Sequence, residues 1–87
     1  TRHYYDTTNP CVIHDNVFRR RIKVSKNGSE ITTVWNPWEE TCAKIDDMPD
    51  DAFYTFVCVE AVNSFSNMIH LAPGETHETA ATIELEM

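Results

Sequence analysis

A ten-residue run, YTFVCVEAVN (residues 54–63), sets the tightest limit on how this chain folds. With the two-residue period of a strand, Tyr54, Phe56, Cys58 and Glu60 share one face, and Thr55, Val57, Val59 and Ala61 share the other. Both faces are mostly apolar. Such a strand needs cover on both sides, and a single sheet with one solvated face does not supply it. The run therefore demands an all-β protein with at least two packed layers. One residue departs from the pattern: Glu60 places a carboxylate at the end of an otherwise apolar strand.

The rest of the chain reads as further strands around one short helix. Asn27-Gly28 is a strong hairpin signal, because a type I′ turn needs positive φ at both central residues. A hairpin there pairs Lys26 with Ser29, Val24 with Ile31, Ile22 with Thr33 and Arg20 with Trp35, which puts Ile22, Val24, Ile31 and Thr33 on one apolar face. In NPWEETCAKIDDM the period changes. Asn36 suits an N-cap, Pro37 suits the first helical position, and Glu39 lies three residues after the cap. Trp38, Cys42 and Ile45 then form one apolar stripe, and the helix ends before Pro49. The acidic DDMPDD segment reads as a surface connection. MIHLA (residues 68–72) reads as a short strand, PGE as a turn, and HETAATIELEM as a final strand with Ala81, Ile83 and Leu85 on one face. Five or six strands and one short helix make a β-sandwich type of sheet.

At 87 residues the chain holds one domain at most, residues 1–87 taken as a single segment. A domain this small is marginal unless something extends it. It barely contains the strands needed for the second layer that residues 57–61 require. It also opens on TRHYYDT, in what reads as the middle of a strand and without an initiator Met. We therefore expect a piece of a larger domain, or a subunit completed by another chain. The formal charge of −7 argues against nucleic acid or an anionic membrane surface as the main partner. No apolar run approaches a membrane span and no signal peptide is visible. Cys11, Cys42 and Cys58 are odd in number and lack metal-type spacing, which points to reduced thiols in the cytoplasm.

Few residues could carry chemistry. Glu60 is the first: a carboxylate among apolar neighbours makes a general base near neutral pH. The plainer reading is a strand-end Glu that reaches solvent or pairs with Arg19, Arg20 or Arg21. Those three arginines could hold a phosphate. Alternation, however, puts Arg20 on the face opposite Arg19 and Arg21, and such runs more often pair with nearby acids. His3, His14, His70 and His77 show no zinc-ligand spacing, so no metal site is expected. Trp35, Trp38 and Tyr54 could line a sugar site, though a buried sandwich Trp is the commoner role. Asn36 could be no more than a helix cap.

Three segments together go beyond pattern. VWNPW (residues 34–38), VCVEAVN (residues 57–63) and LAPGETHE (residues 71–78), in that order, resemble the C-terminal part of the hexose-6-phosphate mutarotases, or glucose-6-phosphate 1-epimerases, of the aldose-1-epimerase superfamily. The resemblance covers residues 15–85. It implies a galactose-mutarotase-like β-supersandwich, of which this chain is the C-terminal portion. It also implies that the Glu of the Cys-Val-Glu motif, here Glu60, is the catalytic base of an acid–base ring opening that interconverts the α and β anomers of a hexose phosphate such as glucose 6-phosphate, without a cofactor. Asn36 and Trp38 follow as a wall of the substrate site.

The family's catalytic histidine and most of its phosphate-binding arginines lie upstream, and none of the four histidines here matches that histidine by motif. The family usually carries an aspartate that binds sugar hydroxyls just before this region, and Arg2 stands where it is expected. The implied partner is thus the N-terminal portion of the same domain, in the same polypeptide or as a separate chain, without which this segment should be inactive. Two other readings compete: a non-catalytic carbohydrate-binding or regulatory β-module, and a small structural domain. The Arg2 departure favours the former, and the intact CVEA speaks against it.

Overall fold

The computed structural model describes all 87 residues. It has six strands in two three-stranded antiparallel sheets and one short helix, the all-β class expected. Strands β1 (Arg2–Tyr4), β4 (Ile31–Trp35) and β5 (Cys58–Val62) form the first sheet, with β4 in the centre. Strands β2 (Cys11–Asp15), β3 (Arg20–Asn27) and β6 (Ala80–Glu86) form the second, with β3 in the centre.

The expected Asn27-Gly28 hairpin does not form. Strands β3 and β4, on either side of it, belong to different sheets. A type I′ turn needs two residues with positive φ, and only Gly28 (φ 73°) supplies one. Asn27 stays extended and pairs with Ala80 of β6. The Ser29 hydroxyl then lies 2.7 Å from the Val62 carbonyl and 3.0 Å from that of Ile31, which directs the chain toward β5. Gly28 is fixed by more than its φ: a Cβ there would sit 2.0 Å from the Glu78 carbonyl oxygen. Asn63, His77 and Thr79 close the same corner. His77 Nε2 lies 2.7 Å from the Gly28 carbonyl oxygen, and Asn63 Nδ2 donates to Thr79 Oγ1 at 2.6 Å.

Strand β3 instead makes its hairpin with β2, across residues 16–19. Asp15 secures that turn. Its carboxylate accepts the Phe18 and Val17 amides at 3.2 Å each and the Arg20 guanidinium at 2.9 Å. The Phe18 amide, followed by the Arg20 bond, holds the Asp15 carboxyl below its usual range. Arg21 pairs with Glu86 across β3 and β6. The basic run is thus largely committed to acids of its own sheet.

Three further expectations change. The strand read over residues 54–63 is shorter, and Ala52–Tyr54 is a 3₁₀ turn. Strand β5 is also an edge strand, half-covered rather than buried on both sides. Residues 68–72 form no strand. The helix α1 (Trp38–Ala43) has six residues, and of the stripe Trp38, Cys42 and Ile45 only Cys42 is buried. Trp38 is 62% exposed and has φ 61°, an unusual backbone for a bulky residue.

The layers meet through the face of the first sheet that carries Thr32, Val34, Val59 and Ala61. Cys11, Val24 and Lys26 of the second sheet lie opposite, around a cavity of about 10 Å³. The Lys26 ammonium is enclosed there without a hydrogen-bond partner. Burial lowers its pKa from the ordinary 10.5, and the nearby Glu30 opposes that shift. Because the folded state disfavours the charged form, Lys26 penalises folding at neutral pH, and the penalty fades as pH rises through the lowered value toward 10.5. Lys26→Met should therefore raise stability by about 1 kcal/mol at pH 7. The gap to the parent should close as pH approaches 10.5, which urea melts at several pH values would measure. A variant no more stable than the parent at pH 7 would rule out an unpaired buried ammonium.

Candidate functional site

The second face of the first sheet points away from the second sheet. It is built by register. Thr33 of β4 pairs with His3 of β1 on one side and with Glu60 of β5 on the other. Directly opposed residues in an antiparallel pair project to the same side of the sheet. His3, Thr33 and Glu60 therefore stand in one row across all three strands. Thr33 is buried, while His3 and Glu60 at the two ends are exposed. His3 Nδ1 lies 2.8 Å from Thr33 Oγ1, so the buried hydroxyl orients the imidazole. The neighbouring rows of this face are Trp35 with Cys58 and Ile31 with Val62.

Aromatic rings frame the row. Phe65 packs against His3 with ring centroids 4.9 Å apart and against Tyr5 at 6.1 Å. It belongs to the 3₁₀ turn Phe65–Asn67, which follows β5, and has φ 51°. At the other end of the sheet, Trp35 meets Phe56 at 6.0 Å.

Glu60 is the one carboxylate of β5. The carboxylate is tolerated because β5 is an edge strand on which Glu60 is exposed, although it also borders the small cavity that Val59 and Ala61 line between the sheets. The expectation attached to Arg2 also changes. Arg2 pairs with Val34, so it belongs to the face that meets the second sheet. The residue of β1 that shares Glu60's face is His3. Residue pattern alone does not reveal this, because it requires knowing that β1 pairs with β4 and in which register.

Asn36 and Trp38 lie where β4 leaves the sheet. Asn36 Nδ2 donates to the carbonyls of Phe53 (3.0 Å) and Phe56 (2.7 Å), and its Oδ1 accepts the Trp38 amide at 2.9 Å. Asn36 is not the helix cap that its sequence position suggests: the helix starts at Trp38, one residue later than expected, and its N-cap is Pro37. Asn36 instead ties the loop before β5 to the end of β4. The Trp38 ring packs edge-on against Phe53 (4.8 Å) and Tyr54 (6.1 Å) and remains mostly exposed. The structure does not bring Trp38 into the His3–Thr33–Glu60 row. It places it beyond the Trp35–Cys58 end of the same sheet. No helix is long and apolar enough to cross a membrane, and all three cysteines are free.

The sequence model of a family described as aldose 1-epimerase matches residues 1–84. A protein of Salmonella typhimurium named "Putative glucose-6-phosphate 1-epimerase" is 43% identical over 51 residues, which is 59% of this chain and 17% of that protein. One of the same name from Escherichia coli K12 is 37% identical over 59 residues, 68% of this chain and 20% of that protein. The matched region thus spans about a fifth of each relative's length. No solved structure matches.

Proposed function

The chain belongs to the aldose 1-epimerase family, and on that premise we propose that it supplies the general base, Glu60, of a hexose 6-phosphate mutarotase. The observation that carries this reading is the position of Glu60: an exposed carboxylate on the open face of a sheet, in one row with Thr33 and His3. Glu60 removes the proton of the anomeric hydroxyl while a histidine acid, supplied by the rest of the domain, protonates the ring oxygen. The ring opens to the aldehyde, the C1–C2 bond rotates, and closure on the other face of the carbonyl gives the second anomer. Glu60 then returns its proton. The steps are proton transfers within one sugar and call for no cofactor. The names of the two relatives favour glucose 6-phosphate as substrate. Trp38, with Tyr54 beside it, offers an aromatic wall, and Asn36 holds the loop that carries it.

In this reading the segment works only with the N-terminal portion of its domain, in the cytoplasm. Three features support an incomplete layer. The radius of gyration is 15.5 Å, against about 12 Å for a compact domain of this length. Ile83 and Leu85 of β6 are 72% and 57% exposed, and the outer edges of β5 and β6 pair with no further strand. The test is direct. Freshly dissolved α-glucose 6-phosphate is followed to its equilibrium mixture by polarimetry, with the full domain and with residues 1–87 alone. The full domain should accelerate the approach well above the buffer rate, and the segment alone should not. A full domain without effect would overturn the enzymatic reading and leave a carbohydrate-binding module.

A further inference from the structure

We propose that His3 is a substrate-positioning residue, the contact that grips a ring hydroxyl of the sugar at the end remote from the anomeric carbon. This rests on the reading of Glu60 as the base. His3 and Glu60 stand at opposite ends of one cross-strand row with Thr33 between them. Adjacent strands lie 4.7–4.9 Å apart, so the two backbones are separated by roughly 10 Å. With both side chains rising from the same face, that gap suits one sugar ring with a hydrogen bond at each end.

The imidazole is held as a contact group would be. Nδ1 is engaged by the buried Thr33 hydroxyl at 2.8 Å, which leaves Nε2 as the ring atom free to meet a ligand. The ring of Phe65 supports it at 4.9 Å. Phe65 makes that contact from a left-handed backbone (φ 51°). Such a conformation costs on the order of 1–3 kcal/mol in a residue with a side chain and persists where the surroundings impose it. An exposed histidine on an edge strand needs neither a buried hydroxyl nor a strained aromatic neighbour to be stable. Together they fix the direction of Nε2 before any sugar arrives, which lowers the entropy lost on binding. Of the neighbouring β1 residues, Arg2 pairs with Val34 on the face toward the second sheet, and His3 pairs with Thr33 on the face of Glu60.

The experiment uses the full domain and its anomerisation of glucose 6-phosphate. His3→Ala should raise KM by about tenfold while kcat stays within about threefold, the signature of lost uniform binding. His3→Gln can keep the Thr33 bond and present a second polar atom, so it should recover most of the KM, and Thr33→Val should move KM in the same direction as His3→Ala. Wild-type enzyme with 3-deoxy and 4-deoxy glucose 6-phosphate should show the same rise in KM for one analogue, and His3→Ala should add nothing further with that analogue. If Glu60→Gln abolishes turnover while His3→Ala leaves KM unchanged, the His3 contact is wrong and the base reading stands. If His3→Ala lowers kcat at constant KM, the residue acts in the chemical step and the positioning role is overturned. If Glu60→Gln leaves turnover intact, the base reading fails. The KM values and the deoxy series still decide the His3 contact in that case.

Discussion

Replacing Glu60 with glutamine should lower kcat for anomerisation by about 10² or more while leaving KM for glucose 6-phosphate within a few-fold of the parent. The amide matches the carboxylate in size and can still accept a hydrogen bond from the anomeric hydroxyl, but it cannot take its proton. The loss corresponds to about 2.7 kcal/mol or more of transition-state stabilisation. Because Glu60 is exposed on an edge strand, the variant should fold with stability within about 0.5 kcal/mol of the parent. The kinetic effect can then be assigned to chemistry. Steady-state polarimetry of the full domain, with circular dichroism as the folding control, decides the matter. A glutamine variant that turns over at the parental rate would remove Glu60 from the mechanism.

The second large effect concerns folding. Ile31 is fully buried, and with Cys42 and Phe53 it makes up the buried apolar core. It sits at the start of β4, paired with Val62 and braced by the Ser29 hydroxyl. Ile31→Ala should destabilise the chain by about 3 kcal/mol, from lost transfer free energy and the cavity left behind. If the 87 residues unfold as one unit, that shifts the thermal midpoint by roughly 15 °C, and by less within a larger domain, whose unfolding entropy is greater. It removes a large part of the total stability of a small domain, which is of the order of 5–10 kcal/mol. Val17→Ala, at a position 85% exposed, should move the midpoint by little more than the error. Thermal melts followed by circular dichroism compare the two. Equal shifts would mean that the protein's core is not where Ile31 places it.

The faces of the strands were legible in the sequence, and the features that were not share a cause. Alternation along VCVEAV correctly put Cys58 and Glu60 on one face and Val59 and Ala61 on the other, because the period of a strand is a property of the local backbone. The turn at Asn36 was readable only in part: its side chain bonds the amide two residues on, a local interaction, but the helix begins after it, with Pro37 as the N-cap. The quoted motifs also placed the chain in its family. The stripe assigned to Trp38, Cys42 and Ile45 failed because a six-residue helix with an αL residue at its start ends before Ile45 and does not hold the 3.6-residue period.

The sequence by itself determined which residues are apolar on which face of each segment, and which carboxylate stands apart from them. Only the tertiary structure decided which strands are neighbours. Strands β3 and β4 are adjacent in sequence and similarly patterned, yet Asn27 stays extended, only Gly28 takes a positive φ, no type I′ turn joins the strands, and they belong to different sheets. That choice frees β4 to take β1 and β5 as its partners, and this pairing brings His3 into line with Glu60 from the far end of the chain. Strand pairing is a contact between residues remote in sequence, chosen among several partners of nearly equal local merit. Periodicity records the faces and is silent about the neighbours.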